Sequence, residues 1–283
     1  FKPFDWEEGK SVATTDINSG GTLQEFFLRK RRYRVRWAGK HIIRTLSQFL
    51  RRQSTFEDAP VLDHAQFPGL KAFPENWETI RDEVQEILKH RDAIPLFHEI
   101  SKEQQRISLG TKWRTFILFG FGEKLEKNCA QAPVTASLLE KVPNLQTAWF
   151  SILGPNHHIP AHRGVTTGIL RAHLGVIVPK QAEKCRLRVL DEMVVWREGE
   201  MFVFDDTYEH EVWNDTDDER VVLILDFDRP MGVLGRAFNK LFVNGLKYTA
   251  YFREPRAKMQ GYEDHFEQVV RRAEETAEKM SYN

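Results

Sequence analysis

The sequence has few cysteines, no net charge and no long apolar run. Only Cys129 and Cys185 are cysteines among 283 residues, so they form neither a disulfide framework nor a C-x-x-C zinc signature and favour a reducing compartment. Basic and acidic residues number 41 each, which provides no global attraction for nucleic acid. No stretch approaches the roughly 20 apolar residues that span a bilayer. These absences predict a soluble, cytoplasmic protein that binds no nucleic acid.

What the sequence does contain is organised in three parts. Residues 1–60 are predicted to be an N-terminal extension, basic and partly helical, in which segment 29–52 combines Arg and Lys with aromatic residues. That pattern is typical of a solvated helical face, with a membrane or anionic-ligand surface as the alternative. Residues 61–233 carry strand-like segments behind N-terminal helices and form the predicted catalytic domain. Residues 234–283 are predicted to be a helical extension.

Apolar spacing predicts two amphipathic helices around a region of strands. The first follows Asn76, which is a plausible N-cap, and the second runs on the surface from Gly261 towards the end of the chain. Between them, β-branched and aromatic residues alternate with turn signals from Trp113 to residue 228. The central part of the chain is therefore predicted to be mostly β.

Polar information is densest between His157 and His173, where four of the ten histidines fall within seventeen positions. In the strand predicted from Leu170 to Val178, Arg171 and His173 share one parity and project from the same face. A guanidinium inside a barrel needs an anion, which predicts a carboxylate ligand beside it. A charged pair that reaches the solvent face is the alternative.

A second cluster leads to His210. The strand Met201–Phe204 runs into a polar bend that presents His210, and turn-forming residues 214–218 come before an apolar run that starts at Arg220. This pattern predicts a hairpin in which His210 and Arg220 lie roughly opposite each other across one ladder. A metal ligand and an anion clamp would then share one site.

Spacing alone leaves the role of the histidines open. Taken singly, His162 and His210 each fit a structural histidine better than a ligand, and imidazoles suit iron, zinc and copper alike. The carboxylate of a facial triad usually stands two residues after the first histidine, where this chain has Gly164. Asp205 and Asp206 could supply a carboxylate, although hydrogen-bonding and turn roles are favoured for them.

Several motifs follow one another along the chain. They are F-P-E-N-W at 73–77, H-R-G at 162–164, L-R-A-H-L-G at 170–175, W-R-E-G at 196–199, F-D-D-T-Y-E-H-E-V-W-N at 204–214, and Arg220 with D-F-D-R-P at 226–230. Over roughly residues 62–230, these segments resemble the aspartyl/asparaginyl β-hydroxylase family of iron(II)- and 2-oxoglutarate-dependent dioxygenases. Chance does not place so many motifs in one order.

The resemblance implies a mainly β fold with flanking helices, a double-stranded β-helix or cupin-like jelly roll. The implied site residues are His162 and His210 as iron(II) ligands, Arg220 as the clamp for the distal carboxylate of 2-oxoglutarate, and Arg171, His173 and Ser151 as further cosubstrate contacts. Peptide-acting members have glycine where this chain has Gly164, so the missing carboxylate is itself typical of the family. The remaining coordination positions are left for 2-oxoglutarate and O2.

The resemblance also implies hydroxylation of an unactivated C–H bond, with succinate and CO2 as co-products. The first expectation is a peptidyl Asp or Asn substrate, but the peptide hydroxylases have an arginine where this chain has Ile169. A bacterial branch hydroxylates an acyl chain of lipid A or ornithine lipid, and residues 52–56 and 228–230 resemble it. An amino-acid-derived substrate is a further option. The sequence leaves the oligomeric state open.

The remaining alternatives concern contact with a membrane and the type of reaction. The basic segment and the apolar run 237–243 could contact the inner face of a membrane peripherally, although packing of this run onto the barrel is favoured. Glycine at the third-ligand position leaves room for chloride, so a halogenase is an alternative to a hydroxylase. A jelly roll that binds without turnover is the alternative from another class. A zinc hydrolase is disfavoured, because two histidines make a poor zinc site.

Overall fold

The computed structural model describes residues 45–101, 106–108, 110–164, 166–247 and 250–281. The chain divides into two units, Phe1–Leu46 and Ser47–Asn283, and nearly all described residues belong to the second. The basic segment 29–52 therefore lies outside the described residues, apart from a helix, α1, at 45–52. The three-part division expected from the sequence stays a prediction.

The described elements are mostly strands in the middle of the chain and helices on either side. The strands are β1 (Val61–Asp63), β2 (Trp113–Gly120), β3 (Glu123–Lys124), β4 (Leu145–Leu153), β5 (His157–His162), β6 (Ile169–Ile177), β7 (Cys185–Val189), β8 (Glu192–Val195), β9 (Met201–Phe204), β10 (His210–Asn214) and β11 (Arg220–Asp228). The helices after α1 are α2 (Ala72–Glu75), α3 (Trp77–Leu88), α4 (Phe97–Ile100), α5 (Glu126–Ala130), α6 (Pro133–Leu139), α7 (Val233–Lys247) and α8 (Ala250–Ser281). Among the described helices, none has an apolar stretch that could cross a bilayer.

The strands form two antiparallel sheets. The larger has the order β1-β9-β6-β11-β4-β2-β3, and the smaller has the order β5-β10-β7-β8. Side chains from both sheets meet in one hydrophobic cluster, which includes Trp149 and Val222 from the larger sheet and Leu187 and Val212 from the smaller. The two sheets therefore face each other as a jelly roll with flanking helices, which confirms the predicted fold class.

The larger sheet is apolar on both faces. In β11, Val221, Leu223 and Leu225 point to a core shared with the helices, whereas Val222 and Ile224 point between the sheets. Successive side chains of a strand project to opposite faces, so one strand serves two cores. Each such side chain stabilises the fold by about 1.5–3 kcal/mol through burial.

The first predicted helix is confirmed, but its predicted cap is not. Helix α3 buries Ile80 and Val84 at helical spacing. Asn76 occupies the N-cap position without a capping hydrogen bond, because its side-chain amide donates to the Ala72 carbonyl oxygen at 2.8 Å. Asn76 thus satisfies a carbonyl of the preceding helix instead of an N–H of α3.

The C-terminal helix is longer than predicted. It begins at Ala250 and continues through Pro255 and Gly261, where the sequence had suggested its start. Phe266 is 2% exposed and packs in the core against Phe116, with ring centroids 4.8 Å apart. The helix is therefore not confined to the surface, since one of its faces covers the larger sheet.

The predicted hairpin between β10 and β11 is wrong. Strand β10 pairs with β5 and β7, whereas β11 pairs with β4 and β6, so residues 215–219 connect the two sheets. The buried side chain of Asn214 donates to the carbonyl oxygens of Leu153 at 3.2 Å and Gly154 at 2.9 Å, at the end of the opposite sheet. These hydrogen bonds stabilise the connection between the two sheets. Because β10 and β11 belong to different sheets, His210 and Arg220 do not lie on one ladder.

The apolar run 237–243 belongs to α7 and packs only in part. Val243 is 8% exposed, as favoured for packing onto the barrel, but Phe238 is 42% and Leu241 71% exposed. Packing onto the barrel, which the sequence favoured for this run, is thus observed for Val243 but not for Phe238 or Leu241. One face of α7 is buried and the other presents apolar side chains outward.

Candidate metal and cosubstrate site

Two histidines come together where β5 ends and β10 begins. His162 and His210 are register partners, and their ring centroids are 4.1 Å apart. His162 Nδ1 lies 2.8 Å from the Pro160 carbonyl oxygen, and His210 Nδ1 lies 3.0 Å from that of Tyr208. Each Nδ1–H donates a hydrogen bond to its carbonyl oxygen, which leaves the Nε2 lone pair of each ring for a ligand.

Both imidazoles are kept neutral by their surroundings. Burial lowers the pKa of His162 to about 4. Burial, and then the neighbouring His162, lowers the pKa of His210 to about 3. Neutral imidazole is the form that binds metal, so near neutral pH the two side chains are ready to act as ligands.

Arg220 is a buried cation that has no anionic partner among the described residues. It is 1% exposed, its Nη2 donates to Ser151 Oγ at 3.3 Å, and its guanidinium lies 4.6 Å from the centroid of Trp196. Its Nε has no hydrogen-bond partner, and no described carboxylate forms an ion pair with it. Burial lowers its pKa to about 10, so it remains charged at neutral pH. Such a group needs an anion from outside the protein.

Ser151 links Arg220 to an aromatic wall. Its Oγ accepts from Arg220 and also from Trp113 Nε1 at 3.1 Å. Because both neighbours donate, the hydroxyl proton of Ser151 is free to donate to a third group. The guanidinium and this hydroxyl together present donors to one oxyanion.

His173 brings a further unpaired polar group into the same space. It is 3% exposed, and neither of its ring nitrogens has a hydrogen-bond partner in the described part of the chain. The rings of Trp196, Phe202 and Phe204 surround it at centroid distances of 5.8, 5.5 and 5.0 Å. Burial holds its pKa well below the usual value, so a neutral imidazole is held among aromatic rings. An unsatisfied buried donor of this kind calls for a ligand.

Arg171 shares the parity of His173, as the sequence predicted, but the protein itself supplies its anion. Arg171 Nε and Nη2 donate to the two carboxylate oxygens of Asp226 at 2.7 and 2.9 Å. Asp226 is the register partner of Arg171 across β6 and β11. Arg171 therefore does not require a ligand carboxylate, since this bidentate pair already satisfies the charge, and its role as a cosubstrate contact stays a prediction.

Gly164 stands two residues after His162, and Asp206 fills the space beside it. A Cβ at Gly164 would lie 2.0 Å from Asp206 Oδ1, and the Gly164 N–H donates to the Asp206 carbonyl oxygen at 2.6 Å. Burial raises the pKa of Asp206 to about 7, against the effect of Arg171, whose Nη2 lies 3.4 Å from Asp206 Oδ2. The glycine thus makes room for a carboxylate that comes from another strand end.

A cavity of about 230 Å³ between the sheets unites these groups. All six predicted site residues line it, namely Ser151, His162, Arg171, His173, His210 and Arg220. Aromatic and aliphatic side chains, including Trp113, Ile117, Trp149, Ile159 and Ile169, form most of the remaining wall. Within the described ranges, no three His, Cys, Asp or Glu side chains are grouped as ligands of one ion, so the histidine pair is without a third protein ligand.

Several cavity residues had not been singled out from the sequence. Trp113 and Trp149 stand at inward positions of β2 and β4, and Asp226 at an inward position of β11. Strand parity could have indicated Trp149, because it is two residues from Ser151 and hence on the same face. Asp226 requires the β6 and β11 register, which no local pattern reveals.

Two relatives cover much of the described region. An ornithine lipid ester-linked acyl 2-hydroxylase of Rhizobium tropici is 42% identical over 69% of this chain and 69% of its own length. The aspartyl/asparaginyl beta-hydroxylase of Homo sapiens is 34% identical over 57% of this chain but only 21% of its own length. Among solved structures, a Pseudomonas putida prolyl-4-hydroxylase overlaps 55% of this chain and 88% of its own, with 18% identity and a TM-score of 0.35, which carries no functional argument.

The family model described as aspartyl/asparaginyl beta-hydroxylase matches residues 74–230, which is more than half of the chain. The matched range includes both histidines and Arg220, and it ends just after β11. The chain belongs to the aspartyl/asparaginyl beta-hydroxylase family.

Proposed function

We propose that the protein is an iron(II)- and 2-oxoglutarate-dependent hydroxylase in which His162 and His210 bind the iron. The observation that carries the proposal is the buried guanidinium of Arg220, which no described carboxylate pairs, in the same cavity as two neutral histidines. A small dicarboxylate fits this combination, because one carboxylate can meet Arg220 while the other end reaches the metal. Two histidine ligands also leave coordination positions for the cosubstrate and O2.

When bound, iron(II) supplies the chemistry by which O2 and 2-oxoglutarate convert a substrate C–H into C–OH, with succinate and CO2 as co-products. The protein's own residues orient the metal ligands and the cosubstrate and exclude water from the site. Carbonyl oxygens hold the Nδ1 protons of both ligand histidines, Ser151 and Arg220 bind the distal carboxylate, and His173 offers a hydrogen bond to the cosubstrate. The aromatic wall excludes water from the space between them.

The contents of the space beside Gly164 favour hydroxylation over halogenation. A halide at that position would meet the carboxylate of Asp206, which already occupies the room that a side chain at 164 would need. We propose that Asp206 would offer a hydrogen-bonding carboxyl group beside an iron held by His162 and His210, and that Arg171, itself paired with Asp226, keeps it at the position that Gly164 leaves open. Exclusion of a halide then follows from the volume that Asp206 occupies.

The substrate that the cavity favours is a lipid acyl chain. Apolar side chains dominate its wall, and the relative that matches at 42% identity is named for an acyl 2-hydroxylase. Of the peptidyl Asp and Asn substrates expected first from the sequence, Asp would require a cation for its side-chain carboxylate. Ile169 contributes an apolar side chain to the wall where such a cation is expected, and the neighbouring Arg171 is paired with Asp226.

The test is an anaerobic titration of the protein with iron(II) and 2-oxoglutarate, followed by optical detection of the charge-transfer band of the chelate. Oxygen is then admitted, succinate is quantified, and acyl lipids and Asp-containing peptides are compared as substrates. We expect the band, succinate, and an acyl-lipid product that is heavier by one oxygen atom. Folded, iron-loaded protein that gives neither band nor succinate would refute the proposal in favour of a binding jelly roll. A chlorinated product in the presence of chloride would refute the hydroxylase alone.

A further inference from the structure

Helix α7 presents a row of large apolar side chains to solvent. Val233 and Leu234 are each 73% exposed, Leu241 is 71% and Phe238 is 42% exposed. Phe49 from α1, at 39%, meets Phe238 edge-on with ring centroids 5.4 Å apart and extends the row. Single exposed apolar residues are ordinary, but a contiguous group on one helix indicates an interaction surface.

The opposite face of α7 fixes the direction in which this row points. Gly235, Asn239 and Val243 follow one another at one-turn spacing and are buried. A Cβ at Gly235 would lie 2.6 Å from Gln53 Cβ, and Asn239 Nδ2 donates to the Gly168 carbonyl oxygen at 2.9 Å. These contacts hold the helix close to the domain. The apolar row therefore stays outside.

The charged residues beside the apolar row of α7 indicate which kind of partner it binds. Arg236 and Lys240 are exposed and stand one turn apart beside the apolar side chains. Residues 229–253 contain no Asp or Glu. Apolar residues flanked by Arg and Lys, without acidic residues, are typical of helices that lie in the interface of an anionic membrane. A second copy of the chain would bring the same positive charges together, which disfavours self-association.

The helix that carries the row also reaches the cavity. Val243, three turns from the start of α7, lines the cavity together with Met259 of α8. If the exposed face of α7 lies on a bilayer, the same helix would therefore hold the cavity close to that bilayer. Access of an acyl chain would then need only a short displacement from the lipid.

We propose that Val233, Leu234, Phe238 and Leu241, with Arg236 and Lys240, form a surface by which the protein binds an anionic lipid bilayer. We name it the α7 surface. Its apolar side chains enter the boundary between headgroups and acyl chains, and the two cations contact acidic headgroups. Its use in delivering a lipid to the cavity rests on the proposed function, but its binding to a bilayer does not.

The test is cosedimentation of the full chain with vesicles of phosphatidylcholine, alone or mixed with phosphatidylglycerol. We expect binding to the mixed vesicles that decreases with salt. Leu234→Glu combined with Leu241→Glu should weaken it by at least about tenfold, because both side chains lose their apolar insertion. The matched control is Met193→Glu on β8, where an apolar side chain is 53% exposed outside the α7 surface, and it should bind as the parent protein does.

The charges are tested separately. Arg236→Gln and Lys240→Gln should each lower binding to the mixed vesicles by about fivefold, with no effect on phosphatidylcholine vesicles. Equal binding of all variants would overturn the proposal. So would a dimer of the parent protein that Leu241→Glu converts to a monomer, since the row would then be a self-association surface. Unchanged melting temperatures exclude unfolding as the cause.

This assay needs neither iron nor 2-oxoglutarate, so it separates the two proposals. Vesicle binding without a chelate band would leave the α7 surface standing and refute the hydroxylase. A chelate band and succinate formation, without vesicle binding, would refute the α7 surface alone. If both hold, the Leu234 and Leu241 variant should retain substrate-free succinate formation while it loses turnover of a vesicle-embedded lipid.

Discussion

Replacement of Arg220 by Met should make the ligand-free protein more stable and the cosubstrate complex weaker. Burial lowers the pKa of Arg220 from 12.5 to about 10, which corresponds to about 3 kcal/mol against the charged form. Met has a similar length and no charge, so we expect the ligand-free variant to gain about 1–3 kcal/mol. For a domain of this size that is a rise in Tm of about 2–4 °C per kcal/mol.

The same substitution removes the anion clamp. Loss of one partner from a buried charge pair costs about 2–5 kcal/mol, so the Kd for 2-oxoglutarate should rise about 30- to 5,000-fold. The assay is a thermal melt of iron-loaded, anaerobic protein over a range of 2-oxoglutarate concentrations. The parent protein should melt higher as the cosubstrate is added, whereas Arg220→Met should start higher and shift little.

Arg229 offers a matched control. It is 2% exposed, as buried as Arg220, but its guanidinium forms an ion pair with the fully buried Asp205. Arg229→Met should therefore destabilise the ligand-free protein by about 3–5 kcal/mol and leave 2-oxoglutarate binding by the folded fraction unchanged. The reasoning would be refuted if Arg220→Met lowered the Tm as Arg229→Met does, or if it kept the parent's affinity for 2-oxoglutarate.

Three further outcomes follow from the site. His162→Ala and His210→Ala should each abolish stoichiometric iron(II) binding, measured by metal analysis after desalting. His158 faces outward and lies 2.7 Å from a glutamate, so the control variant His158→Ala should retain iron. Iron retained by either ligand variant would contradict the assignment. Gly164→Ala would place a methyl group 2.0 Å from a carboxylate oxygen, and we expect succinate formation to fall about 10- to 100-fold. Gly245→Ala, with no atom within 4 Å of its Cβ, is the control, and equal rates for the two variants would argue against a constraint at 164. Finally, the folded-state pKa values of about 4 and 3 for His162 and His210 lie below the 6.5 of the unfolded chain, so the unfolded state binds protons first as the pH falls. In iron-free protein, the contribution of these two histidines to the free energy of unfolding should be fully present above pH 6.5. It should then decrease by about 1.4 kcal/mol per pH unit for each histidine down to about pH 4. Urea unfolding that shows no such pH dependence, relative to the two alanine variants, would contradict the prediction.

Local patterns in the sequence predicted the direction of side chains on a strand or helix better than they predicted the partners of those side chains. The period-two alternation in β6 places Arg171 and His173 on the inward face, and the structure confirms this because side-chain direction depends only on the strand itself. The α3 helix follows from apolar spacing for the same reason. Asn76 was misjudged because its side chain can bond either a following N–H or a preceding carbonyl, and packing of α2 decides between them.

Pairings between distant segments were beyond local patterns. Residues 214–218 have turn chemistry, but that chemistry does not specify whether the chain returns to the same sheet or enters another. The crossing is decided by the hydrogen bonds of Asn214 to β4, some 60 residues earlier in the chain. The partner of Arg171 depends likewise on the register of β11, which explains why an external carboxylate was expected where Asp226 lies.

Strand β11 and its neighbour β6 divide their residues between two tasks. Alternate positions hold the sheet to the helices, and the positions between them face the cavity. Substitutions at the cavity-facing positions of these two strands alter the cavity wall and the packing between the sheets, whereas the helix-facing core keeps its contacts. The frame that the helices support and the wall that a ligand would meet are thus encoded at alternate positions of the same strands.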